Sequence, residues 1–492
     1  MLSMAEQQTA PEISTDESLT KSGRAVATLR WLQHHLKVVG AIITLLGTIG
    51  LVIKGLLGYV DVYHLATGFV TPAHTISMSN APTAPVANVA RLSIAVFPFD
   101  DISPEADREN LARAITQAVE VYLSQVPDCV AKYVSGVDLQ KGITLRKQLG
   151  VNYVLRGSIQ RFGNNVRISA ELIDANDGTQ LWTDHFEDSD RNVFDLEDAI
   201  AGRISNSLDI EMIKAANARV DMEKPLLKNA DYYAIKGRFA FHKLRTKENL
   251  QEAQGFFRQA LVLNPNQSDA LAFMPLALVF EILNFPDAER EQKAALAMQI
   301  ADKAVQLSPM SGVAHGAKAQ SFTPYGRYPE WIQECETALS LNPNLSQPLT
   351  LLAAGKFRTG EFEAAIAAGK RAMRVSPKDP GIAFAPLHIG NSYAAIHDYV
   401  NADKYLELVR ATSPLVWRPH ASLAVVYALQ GNAEAAHDEL AEARRLNPAL
   451  TVKLYEQTLR FKKPPIPSKE ARFIEFSDAS TKALRDLGLP EK

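Results

Sequence analysis

The sequence predicts a multidomain chain: a single transmembrane helix, then an α/β domain, then an all-α solenoid of helical repeats. Three observations predict it. A short phrase ending in Asn-Pro or Ser-Pro returns six times between residues 229 and 448. An apolar run occupies Val38–Val60, and between Arg91 and Phe186 apolar residues fall into short strand-like runs. At 492 residues the chain is long enough for two or three domains. Its net charge of −3 argues against broad electrostatic attraction to nucleic acid, and no nucleic-acid partner is predicted. Cys129 and Cys335 fall in segments assigned to different domains, which argues against an intrachain disulfide, and neither has metal-ligand neighbours at a zinc spacing.

Residues 1–37 read as a disordered cytoplasmic tail, with Glu6, Glu12, Asp16 and Glu17 and almost nothing to bury. Residues 38–60 read as the membrane span. The uninterrupted part, Val38–Ile53, would make a helix of about 24 Å, short of a hydrocarbon core of about 30 Å. Continuing through Lys54 to Val60 makes up the length, with the lysine snorkelling. A cleaved signal peptide fits less well, because a long segment precedes the run and no small-x-small site follows. A buried helix of a soluble domain is the other alternative, disfavoured by the polar sequence on both sides. Lys21, Arg24, Arg30 and Lys37 precede the span, whereas Asp61–Ala90 holds no Lys or Arg. This asymmetry predicts an inner-membrane protein with a cytoplasmic N-terminus and its bulk in the periplasm. Residues 61–90, with Pro72, Pro82 and Pro85, read as a flexible linker.

Residues 91–218 read as a compact βαβαβββα unit. Leu92–Phe99 is a buried strand, with Pro98 tolerated near its end. Leu111, Ile115, Val119 and Leu123 share a helix face. A strand over Cys129–Ser135 and a helix over Leu139–Leu149 follow. Tyr153–Arg161, Val166–Ile173 and Gln180–Phe186 are then three antiparallel strands, turned at Gly163-Asn164-Asn165 and Asn176-Asp177-Gly178. A last helix runs from Val193 towards Ala216.

Residues 226–460 carry the repeats. The phrases end at Pro265, Pro309, Pro343, Pro377, Pro414 and Pro448, with spacings of 44, 34, 34, 37 and 34 residues. In the last period Leu423, Ala424 and Tyr427 share one face of a first helix, and Gly431 stops it by accepting a left-handed backbone. Ala436, Leu440 and Ala443 line a second helix, small enough for the hairpin to close, and Pro448 ends it. Leu352, Ala353, Gly360, Ala365, Ala372 and Pro377 repeat the scheme, while Trp331 stands where another period has a small residue. A 34-residue hairpin so punctuated resembles the tetratricopeptide repeat, and the longer spacings read as that period with loop insertions. Residues 461–492 read as a C-terminal capping segment.

Ile94-Ala-Val-Phe-Pro-Phe99, Leu149-Gly-Val-Asn-Tyr-Val-Leu-Arg-Gly-Ser158, Val166–Asp174 and Gly178-Thr-Gln-Leu-Trp182 resemble the TolB-amino-terminal-like domain of bacterial signalling proteins. In that family the domain stands between an effector, a class III nucleotide cyclase or a winged-helix domain, and a tetratricopeptide array. Leu484-Arg-Asp-Leu-Gly-Leu-Pro490 is similar to the tails of the cyclase-linked members. The resemblance covers roughly residues 91–490 and departs at the front, where 37 residues are too few for either effector.

The motifs of catalysis are missing. Gly369-Lys370 lacks the upstream glycine of a phosphate loop, and there is no HExxH, GxSxG or Cys/His cluster. Asp100 and Asp101 are adjacent on a strand and so point apart, His185 has no identifiable partner, and Arg444-Arg445 and Lys462-Lys463 read as solvated faces. No catalytic residue, metal or cofactor is therefore predicted, and the chain is expected not to be an enzyme. Function is placed on the groove of the array. Its first-helix positions, opposite the packing face, include Arg238, His242 and Arg245, then Gln320, Gln347, Thr350 and Arg418. Arginines there would favour an acidic or carboxylate-bearing segment of a protein partner. The expectation is a membrane-anchored, protein-binding scaffold. The alternative is a sensory or regulatory component of a nucleotide-cyclase or transcription-regulator system.

Overall fold

The structure, a computed structural model, describes residues 92–103, 109–134, 149–162, 165–189, 193–222, 229–243, 246–285, 288–377, 384–459 and 470–492. All of them belong to one unit, Leu65–Lys492. The expected tail, span and linker (1–37, 38–60 and 61–90) lie outside the described residues, as do nearly all of the helix expected at 139–149 and the Gly163-Asn164 turn. Among the described residues no helix is long and apolar enough to cross a membrane.

The α/β unit comprises β1 (Leu92–Val96), β2 (Asp100–Asp101), α1 (Glu109–Ser124), β3 (Cys129–Tyr133), β4 (Tyr153–Phe162), β5 (Asn165–Asp174), β6 (Gln180–Ser189) and α2 (Val193–Met222). The sheet runs β3-β1-β4-β5-β6, with β2 also pairing β4. β1 is parallel to both neighbours, and β4, β5 and β6 form an antiparallel meander. All five residues of β1 are buried, the continuous apolar run of a parallel strand covered on both faces. Leu92, Ile94 and Val96 pack with Ile115, Val119 and Leu123 of α1 and Ile204 and Leu208 of α2. Ala95 joins Phe97, Val151, Val154 and Ala175 in a second cluster.

The strand expected over Leu92–Phe99 is shorter than its sequence suggests. Its ladder stops at Val96, with a last bond from the Phe97 amide to the Leu155 carbonyl at 3.0 Å, and resumes at Asp100–Asp101, against Ser158 and Ile159. Pro98, exposed and without an amide hydrogen, lies in the gap. Asp101 accepts hydrogen bonds from the Ser103 amide at 2.9 Å and its hydroxyl at 2.6 Å, which makes it a turn residue. His185 is exposed, as expected, but it has a partner: Nδ1 lies 2.9 Å from Ser169 Oγ, on the residue directly opposite in β5.

The array is built of antiparallel helix pairs. They are α3 (Ala230–His242) with α4 (Lys247–Leu263), α5 (Ser268–Asn284) with α6 (Arg290–Leu307), and α7 (Gly312–Phe322) with α8 (Tyr328–Leu341). Next come α9 (Ser346–Arg358) with α10 (Phe362–Val375), α11 (Ala385–Ala395) with α12 (Tyr399–Thr412), and α13 (Trp417–Leu429) with α14 (Ala433–Leu446). Each second helix stops two residues short of its phrase's proline. The first residue of every phrase, Ala260, Ala304, Ala338, Ala372, Val409 and Ala443, is buried. The phrase therefore marks the closest helix contact and the stop that follows it, a tetratricopeptide-like design. Gly360 and Gly431 take positive φ at the ends of first helices. The 44-residue spacing is not a loop insertion alone: α5 and α6 are themselves lengthened, to 17 and 18 residues. After the hairpins, α15 (Val452–Leu459) and α16 (Glu470–Asp486) close the C-terminal end, with Phe473 and Phe476 against Phe357 at ring-centroid distances of 5.3 and 5.8 Å.

The α/β unit is docked on the array by polar contacts to the turns between repeats. Asn206 of α2 donates to the carbonyls of Asn344 (2.9 Å) and Val375 (3.0 Å). Gly202 lies so close that an added Cβ would sit 2.4 Å from Asn344 Cβ. Asp128, with φ of 56°, accepts from Gln267 Nε2 and Ser268 Oγ, both at 2.5 Å, at the start of α5.

Candidate functional site

The seven residues assigned to a groove separate into three groups. Arg238 is not at a groove mouth. Its side chain is wholly buried, with Nη2 2.5 Å from Asp209 of α2 and Nη1 3.2 Å from Asp269 of α5, and its guanidinium lies over the Phe273 ring. Helical periodicity assigns it to a groove face, but α2 of the neighbouring domain meets its guanidinium there, so the charge serves as an interdomain clasp. Burial alone would lower its proton affinity, yet the two carboxylates raise it further than burial lowers it. His242 is partly buried against Phe273 and lines a cavity of about 90 Å³ that it shares with α2. Arg245 lies outside the described residues.

The remaining four come together. Gln320 of α7, Gln347 and Thr350 of α9 and Arg418 of α13 line a single cavity of about 50 Å³. Phe280 and Leu283 of α5, Trp331 of α8, Arg358 of α9 and His388 of α11 are among its other lining residues, so five successive first helices contribute. The cavity is pinched across the array. The Phe280 and Phe384 rings stack at 6.3 Å, and Arg418 Nη2 donates to the Leu283 carbonyl at 3.4 Å. From the C-terminal side, the Thr458 carbonyl of α15 accepts from Arg358 Nη2 at 3.2 Å. Residues of α5, α11, α13 and α15 thus close in around a cavity that stays partly open at this level.

Its electrostatics are one-sided. Two arginines and a histidine line it, with no aspartate or glutamate among the described lining residues. Burial pushes the Arg418 guanidinium down to about 10, and repulsion from Arg358 and Arg290 adds to this. Burial, with the same two arginines 358 and 418, holds the His388 imidazole well below its ordinary range, so it is neutral at pH 7. Within the cavity Arg418 Nε, Gln347 Nε2 and Gln320 Oε1 are buried without a hydrogen-bond partner. Such an arrangement can accept an anion at little further desolvation cost, because the donors are already dry.

Sequence reasoning missed Arg358 and His388. Arg358 was within reach, since it continues the Gln347, Thr350 stripe by two further turns of α9. His388 was not, because the 37-residue spacing before α11 shifts the register that the prolines define.

A family model for the HilA/YgeH-like transcriptional regulator, second domain, matches residues 90–203, the α/β unit. "Putative adenylate cyclase 3" of Rhizobium meliloti (strain 1021) is 25% identical over 221 residues, 44% of this chain. The chain spans 38% of that relative's length. Among solved structures, human IFIT1 with PPP-AAAA matches 60% of this chain and 80% of its own, at 15% identity and a TM-score of 0.40. Pseudomonas aeruginosa pilF matches 46% of this chain and 95% of its own, at 18% identity and a TM-score of 0.34. YrrB, titled a TPR protein with an unusual peptide-binding site, matches 39% and 93%, at 19% identity and a TM-score of 0.27. The likeness at these scores is loose, and the repeat architecture rests on the hairpins themselves.

Proposed function

We propose that the chain is a non-catalytic scaffold that holds protein partners through its helical array, anchored in the inner membrane by residues 38–60 with its bulk in the periplasm. The observation that carries this reading is the convergence of donor side chains from successive first helices on one cavity that has no acidic lining residue. The α/β unit, read as a TolB-amino-terminal-like domain, braces the turns of the array and so holds the repeats at fixed spacing. Affinity capture from membranes tests it. Partners should be recovered with the full chain and lost on deletion of residues 229–448; partners retained by the deletion would overturn the proposal.

A second reading is favoured by the 221-residue match to the Rhizobium meliloti protein. In it the chain regulates a nucleotide cyclase made elsewhere. The purified chain would then form no cyclic nucleotide from ATP or GTP, yet would change the turnover of a separately supplied cyclase domain. Turnover by the chain alone would sink both readings.

A further inference from the structure

We propose that the interior cavity is a binding site for one carboxylate group, held by the Arg418 guanidinium with the side-chain amides of Gln320 and Gln347. The inference deepens the scaffold reading by naming the chemistry recognised at its centre. Gln320 is 2% exposed and its Oε1 meets no hydrogen-bond partner. Turning that amide over, an assignment settled only by its surroundings, presents its N–H₂ to the cavity instead. Gln347 already presents an unmet Nε2 donor. Arg418 makes one long bond to a carbonyl and leaves Nε unmet. Arg418 and Gln347 thus lack an acceptor, Gln320 joins them once its amide is turned, and for Arg418 the missing acceptor is one that carries negative charge. Water would satisfy the donors but not the charge.

Size narrows the class. A cavity of about 50 Å³ has room for roughly three or four water-sized groups. The three heavy atoms of a carboxylate fit within it. The planar fork of a guanidinium also matches a carboxylate edge with two parallel hydrogen bonds. Arg358 on another wall adds positive potential, and neutral His388 adds none that would need a second anion. Because Gln320, Gln347 and Arg418 sit on α7, α9 and α13, a carboxylate bridging them would tie the third and fourth hairpins to the sixth.

The carboxylate could be a free small acid or the end of a peptide, and the experiment separates them. The full chain, in detergent, is melted and titrated by calorimetry with sodium acetate against sodium chloride at equal ionic strength. It is then titrated with a short peptide ending in a free carboxylate and with the same peptide amidated. Acetate should raise the melting temperature saturably and chloride should not. Acetate binding without peptide binding assigns the site to a free acid; binding of the free-carboxylate peptide over its amide by tenfold or more assigns it to a chain end. Arg418→Met should abolish either response while melting higher than the wild-type chain in acetate-free buffer, a result that misfolding cannot mimic. Arg418→Lys, which keeps the charge but not the fork, should bind at least tenfold more weakly. No saturable response to acetate or to either peptide, or an Arg418→Met response equal to wild type, overturns the proposal. Partner capture that needs residues 229–448 but is unchanged by Arg418→Met would leave the scaffold reading intact and confine the site to a free acid.

Discussion

The Arg238 clasp makes a sharp prediction about pH. Asp269 is buried beside Arg238, and Asp209 and Asp128 crowd the same junction between α2, α3 and the start of α5. Burial pushes the Asp269 carboxyl up to about 8; Arg238 opposes the rise, and Asp128 and Asp209 reinforce it. An unfolded aspartate titrates near 3.9. The folded state therefore holds this proton more tightly, and the group's stabilising contribution is complete below about pH 4. It is lost progressively as pH rises towards 8, with a limiting slope of about 1.4 kcal/mol per pH unit. Summed over that window the loss is on the order of a few kcal/mol, with about 5 kcal/mol as a ceiling. Asp269→Asn is nearly isosteric, can still accept from Arg238, and has no proton to lose. Urea denaturation at pH 5, 7 and 8.5 should show the wild-type chain weakening while the variant stays flat. The variant should be the more stable of the two at pH 8.5. Asp209→Asn should act in the opposite sense, costing about 3–5 kcal/mol, because it strips Arg238 of its nearer counter-ion. Parallel pH profiles for wild type and Asp269→Asn would refute the argument, since they would mean that Asp269 is ionised throughout.

Three further outcomes are expected. Ala436→Leu, at the buried contact between α13 and α14, should cost about 1–3 kcal/mol in chemical denaturation, whereas exposed Glu434→Gln should stay within about 0.5 kcal/mol; equal midpoints would mean the helix register is wrong. Gly202→Ala should cost about 1–3 kcal/mol by driving its Cβ into Asn344, while Gly255→Ala, with nothing within 4 Å, should gain about 0.5–1 kcal/mol from helix propensity, and reversed signs would contradict the docking. A C-terminal alkaline phosphatase fusion should be active and a cytoplasm-only fluorescent fusion dark; the opposite pair would overturn the proposed topology.

Much of this molecule could be read from the chain because the relevant residues act locally. A proline ends its helix wherever that helix sits, Gly431 turns left-handed because no Cβ forbids it, and Ala443 is small because its own hairpin partner passes close by. These causes span at most one repeat, so six phrases told of six hairpins. The break at Pro98 was legible in kind but not in extent, since whether the chain resumes pairing at Asp100 depends on Ser158 and Ile159 in β4.

Arg238 and Arg418 show where local reasoning ends. Both stand on first helices, on faces that the proline register assigns to the groove. Whether such an arginine meets solvent, a partner or its own chain depends on what is laid across that face from elsewhere. For Arg238 the covering element is α2, which brings Asp209, and the charge becomes part of the domain junction. For Arg418 the end of α5 reaches across the array and offers it the Leu283 backbone carbonyl. The same residue type, assigned to the groove by the same proline register, is thus answered in one repeat and left unanswered in another. The second arginine carries the larger electrostatic cost and therefore the stronger reason to bind an acid. Removing that cost by Arg418→Met should stabilise the empty chain. Removing it from Arg238 should not, because the Asp209 carboxylate and the buried Asp269 carboxyl would both lose the group that faces them.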